Sequence, residues 1–269
     1  MGRVFGAFIR RDWIVARSYR LPFYMVVGSS AFLLVLLYEV GHLVDLNPTT
    51  TGPDSPLSHG YFAYALVGIA VLQIVYSAVQ AFTQQIREEQ TTGTLEILLA
   101  TPTSPSVVIL GSALYDLIQP TVVSILMVAV GALAGNVDLV ATAASALAAA
   151  AALVGLLALF AGLGILVASF TVVFKQGAGL VALLVTALGL FGGAYFPVTQ
   201  FPEPLRWIAE ALPFTWGVDV LRQALLLGQI EVGRLVGLLI GGAVLLPISL
   251  YAFHVAVQLA RRRGTLAQY

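Results

Sequence analysis

Six runs of apolar residues, at 22–41, 61–82, 106–135, 139–170, 177–196 and 235–259, govern what this 269-residue chain can fold into. Each is near or above the about 20 residues that an α-helix needs to cross about 30 Å of hydrocarbon at 1.5 Å per residue. The expected fold class is therefore an all-α membrane protein with six transmembrane helices. The third and fourth runs are longer than the bilayer requires, and tilt or extension past the headgroups absorbs the excess. The turn Gly135-Asn136-Val137-Asp138 separates them.

Composition agrees with this solvent. The chain is 59% hydrophobic and 10% charged, where a soluble domain carries about 25% charged residues. Its formal net charge is zero, so no general basic surface points to nucleic acid. It has no cysteine, which excludes disulfides, thiolate metal sites, cysteine nucleophiles and S-palmitoylation. The arginine-rich start leads into an apolar stretch too long for a signal-peptide core and without a small-x-small cleavage site, so it is expected to be retained as a span.

Basic residues set the orientation, because short cytoplasmic loops keep Lys and Arg while translocated ones are depleted. With the N-terminus inside, the cytoplasmic side holds Arg3, Arg10, Arg11, Arg17, Arg20, Arg87, Lys175, Arg261, Arg262 and Arg263. Only Arg206, Arg222 and Arg234 remain outside. The expected location is a cell membrane (inner or plasma), multi-pass, with both termini cytoplasmic. Ahead of the first span, Phe5, Phe8, Ile9 and Trp13 recur at helical spacing beside Arg10, Arg11 and Arg17. This pattern suits an amphipathic helix lying along the inner membrane surface, and the arginines alone would suit a simple positive-inside anchor.

The most polar cytoplasmic stretch follows the second span and begins Arg87-Glu88-Glu89. Gly93 breaks the chain, Thr94 is placed to cap a new helix, and Glu96 sits in its first turn, where a carboxylate favours the helix dipole. Leu95, Leu98 and Leu99 fall at i, i+3 and i+4 and give that helix one apolar face. Pro102 disfavours helical geometry at Thr101 and stops it. Ser104 and Pro105 then restart a helix as N-cap and first position. Such a short helix between breakers suits mechanical contact with a cytoplasmic partner, and an ordinary hairpin connection has the same caps.

This stretch resembles the motif of the type-2 ABC transporter permeases, the membrane-spanning subunits of bacterial or archaeal ABC exporters. There an acidic segment leads to Gly-Thr-Leu-Glu, a Leu-Leu pair and Thr-Pro; here these are Glu88, Glu89, Gly93 to Glu96, Leu98, Leu99, Thr101 and Pro102. The resemblance implies that this loop, 83–105, contacts an ABC ATPase subunit as a coupling helix. A second match runs Tyr195-Phe196-Pro197, Phe201-Pro202, Leu205, Ile208-Ala209, Leu212-Pro213 and Asp219 to Arg222, and is similar to the family's outer re-entrant segment. Ser112 departs from the family, in which a lysine often follows the glycine at Gly111. One transmembrane domain, 1–269, is then expected: interfacial helix 1–21, the six spans, the coupling loop and outer re-entrant helices within 197–234. The resemblance further implies two ATPase copies, a second permease copy in a homodimer or heterodimer, and a path along the dimer axis. The chain itself has no P-loop, since its sole lysine lies in Phe174-Lys175-Gln176-Gly177. No cofactor is expected in this chain, and ATP and its Mg²⁺ belong on the partner ATPase.

Ionisable and polar groups at membrane depth are the other candidates. Asp116 lies within the third span, with Gln119 and Pro120 close behind. It serves either function or a structural hydrogen bond. Gln73, Tyr76, Ser77, Gln80 and Gln84 form a polar stripe on the second span, which does not suit lipid and either lines a path or bonds helices together. The resemblance places the second and fifth spans near a central cavity, which makes Gln73, Tyr76, Ser77, Gln80, Asp116, Gln119 and Phe191 candidate pathway residues. The fifth span is otherwise apolar, so a shared cavity is mostly greasy. Gly155, Gly162 and Gly164 permit close helix packing. Pro197, Pro202, Pro204 and Pro213 punctuate apolar turns with Trp207 and Trp216, which suit short helices dipping into the outer leaflet or an outer loop.

An intramembrane hydrolase is disfavoured, because only His42, His59 and His254 exist and no Gly-x-Ser-x-Gly surrounds a span serine. The expected function is outward movement of a hydrophobic or amphipathic, drug-like or lipid-like substrate. Export of polysaccharide or lipid-linked glycan is the alternative within the family, and a membrane scaffold or channel is the alternative outside it.

Overall fold

The computed structural model describes residues 20–43, 56–91, 105–140, 142–174 and 178–263. Every regular element among them is helical. Five helices are long and apolar enough to cross a membrane: α1 (Arg20–Leu43), α2 (Gly60–Thr91), α3 (Pro105–Ala134), α4 (Ala143–Phe174) and α8 (Val232–Arg263). Between α4 and α8 stand three shorter helices, α5 (Ala178–Phe191), α6 (Glu203–Ala211) and α7 (Pro213–Arg222). The chain leaves α7 through a π turn, Gln223–Leu227, closed by Gly228 at φ 68°. The expected interfacial helix, apart from its last residues, and the short helix at 94–100 lie outside the described residues.

The α2 helix is the axis of the molecule. Of its most apolar window 78% is buried, against 11% for α1 and 17% for α8. Most of its buried positions carry small or β-branched side chains, including Ala65, Val71, Val75, Ala78 and Val79, so neighbours approach from several sides. The α4 and α8 helices run parallel and touch through glycine. A Cβ at Gly155 would stand 3.2 Å from the Leu238 backbone, and one at Gly242 would stand 3.0 Å from the Gly155 carbonyl oxygen. Gly162 meets Leu245 in the same way, and Gly164 admits the α2 backbone at Ala78 and Val79. In a lipid environment, where burial of apolar surface drives nothing, this van der Waals fit is what associates helices. The three glycines of α4 thus serve packing, as their spacing suggests.

The fifth apolar run departs from expectation. A span over 177–196 is expected, but the helix described there, Ala178–Phe191, ends at Phe191 rather than at Phe196. Gly192 and Gly193 end it. A Cβ at Gly192 would collide with the Phe214 ring, and Gly193 takes φ 78°, a conformation that only glycine adopts without strain. The chain then turns back as an α6–α7 hairpin. The α7 helix packs into the bundle against α2, α4 and α8, with Leu156 lying over Gly217 where a side chain would not fit. Proline interrupts neither long helix that contains it. Pro120 removes the N–H that would bond the Asp116 carbonyl, and α3 continues through it to Ala134.

Candidate functional site

At the end of the bundle where α2 finishes, Arg87 and Glu88 are exposed on its last turns, and Gln84 donates to Glu88 Oε1 at 3.4 Å. Glu89 belongs to the same helix. The first three residues of the expected coupling set therefore extend α2 itself, which at 32 residues is about 48 Å long. Gly93, Thr94, Leu95, Glu96, Leu98, Leu99, Thr101 and Pro102 lie outside the described residues.

The polar stripe is where α2 is uncovered. Between Ala63 and Ile86, every α2 residue is buried except Leu72, Gln73, Tyr76, Ser77, Gln80 and Gln84. Five of these six are the polar residues of the stripe, so the one open face of the central helix is its polar face. At its upper part this face is flanked by α1, where Gln73 Nε2 donates to Ser30 Oγ at 3.2 Å, and by α5, where Leu72 meets Gly189. Tyr76 is 44% exposed, whereas Ser77 donates back to the Ile74 carbonyl at 2.8 Å. Of the remaining candidates, Asp116 and Gln119 are half-buried on α3, and Phe191 is exposed at the end of α5. The structure thus joins Gln73 to α1 as helix-bonding glue and leaves Tyr76 and Gln84 facing outward.

A cleft of about 450 Å³ lies between α4, α5 and the α6–α7 hairpin. Its walls include Phe160 and Leu163 from α4, Leu184 and Phe191 from α5, and Ile208 and Leu212 from the hairpin; all its lining residues are apolar. The wall residue Phe160 stands edge-on to the buried Phe214, with ring centroids 6.4 Å apart. Of the candidate pathway residues, Phe191 lines this cleft, and Gln73, Tyr76, Ser77, Gln80, Asp116 and Gln119 do not. The α6 helix covers the cleft with its apolar side and carries the exposed Arg206–Glu210 ion pair on the other.

Sequence reasoning missed the group with the most demanding environment. Arg222, counted above among the few cations outside, is fully buried. Its Nε donates to the Tyr64 carbonyl at 3.0 Å, Nη1 to the Gly193 carbonyl at 2.8 Å and Nη2 to the Ala194 carbonyl at 3.0 Å. The guanidinium also lies over the Tyr64 ring, 3.4 Å from its centroid, and the Tyr64 hydroxyl donates to the Gly193 carbonyl at 3.2 Å. Its neighbour in sequence, Asp219, is paired instead with Arg234, which also meets Glu231 at 3.1 Å. Burial holds the Asp219 carboxyl above the ordinary carboxylate range, while Arg222 and Arg234 pull it down. The available signal was the motif's own spacing: an arginine three residues after an aspartate, at the end of a helix whose other residues are mostly apolar.

A central, mostly buried helix with one polar face, surrounded by long apolar helices and a shorter fifth one, defines a polytopic helical membrane protein. The family model for ABC-2 type transporters matches residues 3–226, and the chain belongs to that family. It is accordingly a permease component that works in the membrane with an ABC ATPase partner. No curated protein matches the chain.

Proposed function

We propose that the chain is the permease subunit of an exporter that moves a hydrophobic or amphipathic, drug-like or lipid-like substrate outward. Two copies, identical or paired with a related subunit, enclose the path, and two ATPase subunits that hold ATP and Mg²⁺ dock on the cytoplasmic side. The observation that carries this reading is the open face of α2. A stripe of Gln73, Tyr76, Ser77, Gln80 and Gln84 costs free energy against lipid tails and is at home against a second copy or a wet path. The apolar cleft at Phe160, Leu184 and Phe191 supports a substrate with a greasy part. The basic residues at Arg87, Lys175 and Arg261 to Arg263 support cytoplasmic termini. The segment from Arg87 to Pro102 is the docking element, and the α6–α7 hairpin is the re-entrant outer gate.

Reconstitution of the permease with its ATPase in liposomes tests this. ATP-dependent movement of a fluorescent short-chain phospholipid or a cationic drug, away from the ATPase side, is the expected result. ATPase activity stimulated by lipid-linked glycan alone would transfer the assignment to the glycan branch. An ATPase indifferent to the permease would leave a scaffold.

A further inference from the structure

We infer that Arg222 is a positioning residue that fastens the α6–α7 hairpin to α2, so that a displacement of α2 at its Arg87–Glu88 end is delivered to the far end of the bundle. The inference rests on the permease reading above. Three parts of the chain meet at this guanidinium: α7, which ends on Arg222; α2, through the Tyr64 carbonyl; and the break after α5, through the Gly193 and Ala194 carbonyls. The Tyr64 carbonyl lies inside a helix and offers its second lone pair. The other two carbonyls lie just past the end of α5.

The kind of contact decides which neighbours move together. The hairpin meets α4 through apolar surfaces, Phe214 on Phe160 and Gly217 on Leu156, and such surfaces are non-directional. It meets α2 through a charge-assisted bond from Nε to the Tyr64 carbonyl and the stacking of the guanidinium on the Tyr64 ring, while Nη1 and Nη2 of the same planar fork hold the carbonyls after α5, so that direction and distance are both fixed. A lysine presents one flexible point charge and cannot replace that fork. The fit is tight on the α2 side as well, because a Cβ at Gly68 would collide with the Ala194 carbonyl oxygen and with Arg222 Nη2. Asp219 does not compete for the guanidinium, being held by Arg234. A continuous helix of 32 residues thus has a docking element at one end and a directional fastening at the other.

The natural chain has no cysteine, so spin labels placed through Ser58→Cys and Glu203→Cys report the distance between the start of α2 and the hairpin without background. Both positions are exposed. The measurement uses the assembled transporter in lipid nanodiscs, with labelled permease diluted by unlabelled copies, without nucleotide and trapped with ATP and vanadate. We expect one narrow distance, unchanged between the two states. In Arg222→Gln, and independently in Gly68→Ala, which keeps the charge, the distance should broaden or shift. Transport per ATP should fall by roughly tenfold while basal ATP hydrolysis persists. Three outcomes overturn the inference: a distance that changes with nucleotide while Arg222 is intact, both variants keeping the wild-type distance and transport, or both only lowering the yield of folded protein with turnover per folded molecule unchanged. A wild-type complex that moves no substrate would count against the permease reading, while the labelled distances would still decide whether Arg222 holds the hairpin.

Discussion

The amide of Gln73 on α2 donates to the hydroxyl of Ser30 on α1 at 3.2 Å, and Ser30 is buried at that contact. Most of α1 is not buried, so a polar bond is a large share of what orients it. Hydrogen bonds between membrane helices contribute on average about 0.6 kcal/mol and at most about 2. Gln73→Leu should therefore lower the thermal stability of the purified permease by about 1 kcal/mol, and Ser30→Ala by a similar amount. In the double variant the losses should be less than additive, because both remove one bond. Additive losses in thermal denaturation would show that the two side chains act separately.

The apolar cleft makes a second prediction. Ala187 is half-buried and lies on its wall, so Ala187→Phe fills space that a substrate tail would take. Stimulation of ATPase activity by an amphiphile should then need about tenfold more of it, as expected when roughly 1.4 kcal/mol of binding is lost, with basal hydrolysis intact. Leu163→Met, which conserves volume, should change little. Equal stimulation curves for wild type and Ala187→Phe would remove the cleft from the path.

Asp219 gives a pH dependence. Its carboxyl is held above the ordinary range by burial, so the native state takes up this proton more readily than the unfolded chain. Stability from this group is therefore fully present at low pH, below the carboxylate's unfolded value, and is lost as pH rises through the raised native value. Asp219→Asn has no such proton, so the stability of wild type relative to the variant should decline as pH rises through that acid window and then level off. Thermal melts of both proteins across that window check the sign; a wild-type advantage that grows with rising pH would contradict it.

Long apolar runs made α1, α3, α4 and α8 legible within a few residues, because hydrocarbon thickness fixes length. The α2 helix instead runs on to Thr91, nine residues past its apolar run, since a helix continues into polar residues beyond the hydrocarbon. The end of the fifth run differs for a local reason. Composition up to Phe196 reads as a span, but Gly192 sits where the Phe214 ring reaches it from α7, a tertiary contact that no window of sequence contains. The polar stripe was legible as a period of three to four, and its being the sole open face of α2 was not, since that depends on what covers the other faces. Arg222 was hidden because counting charges by side treats an arginine outside a span as wet. Its partners are backbone carbonyls, which carry no residue identity.

The docking element yields the prediction that bears most directly on function. Leu95, Leu98 and Leu99 share one face of the short helix expected at 94–100, and the proposed contact with the ATPase would be made through desolvation of that face. Leu98→Asp places a carboxylate on that face, where burying it unpaired costs several kcal/mol, enough to lower affinity by more than about a hundredfold. The ATPase should no longer copurify from mild detergent, while Leu98→Met should retain it. Because α2 runs unbroken from Glu88 to Gly60, the permease should remain folded, with the Ser58 to Glu203 distance unchanged. If Leu98→Asp keeps its ATPase, the contact lies elsewhere on the cytoplasmic side, and the Arg87 to Glu89 end of α2 becomes the first place to look.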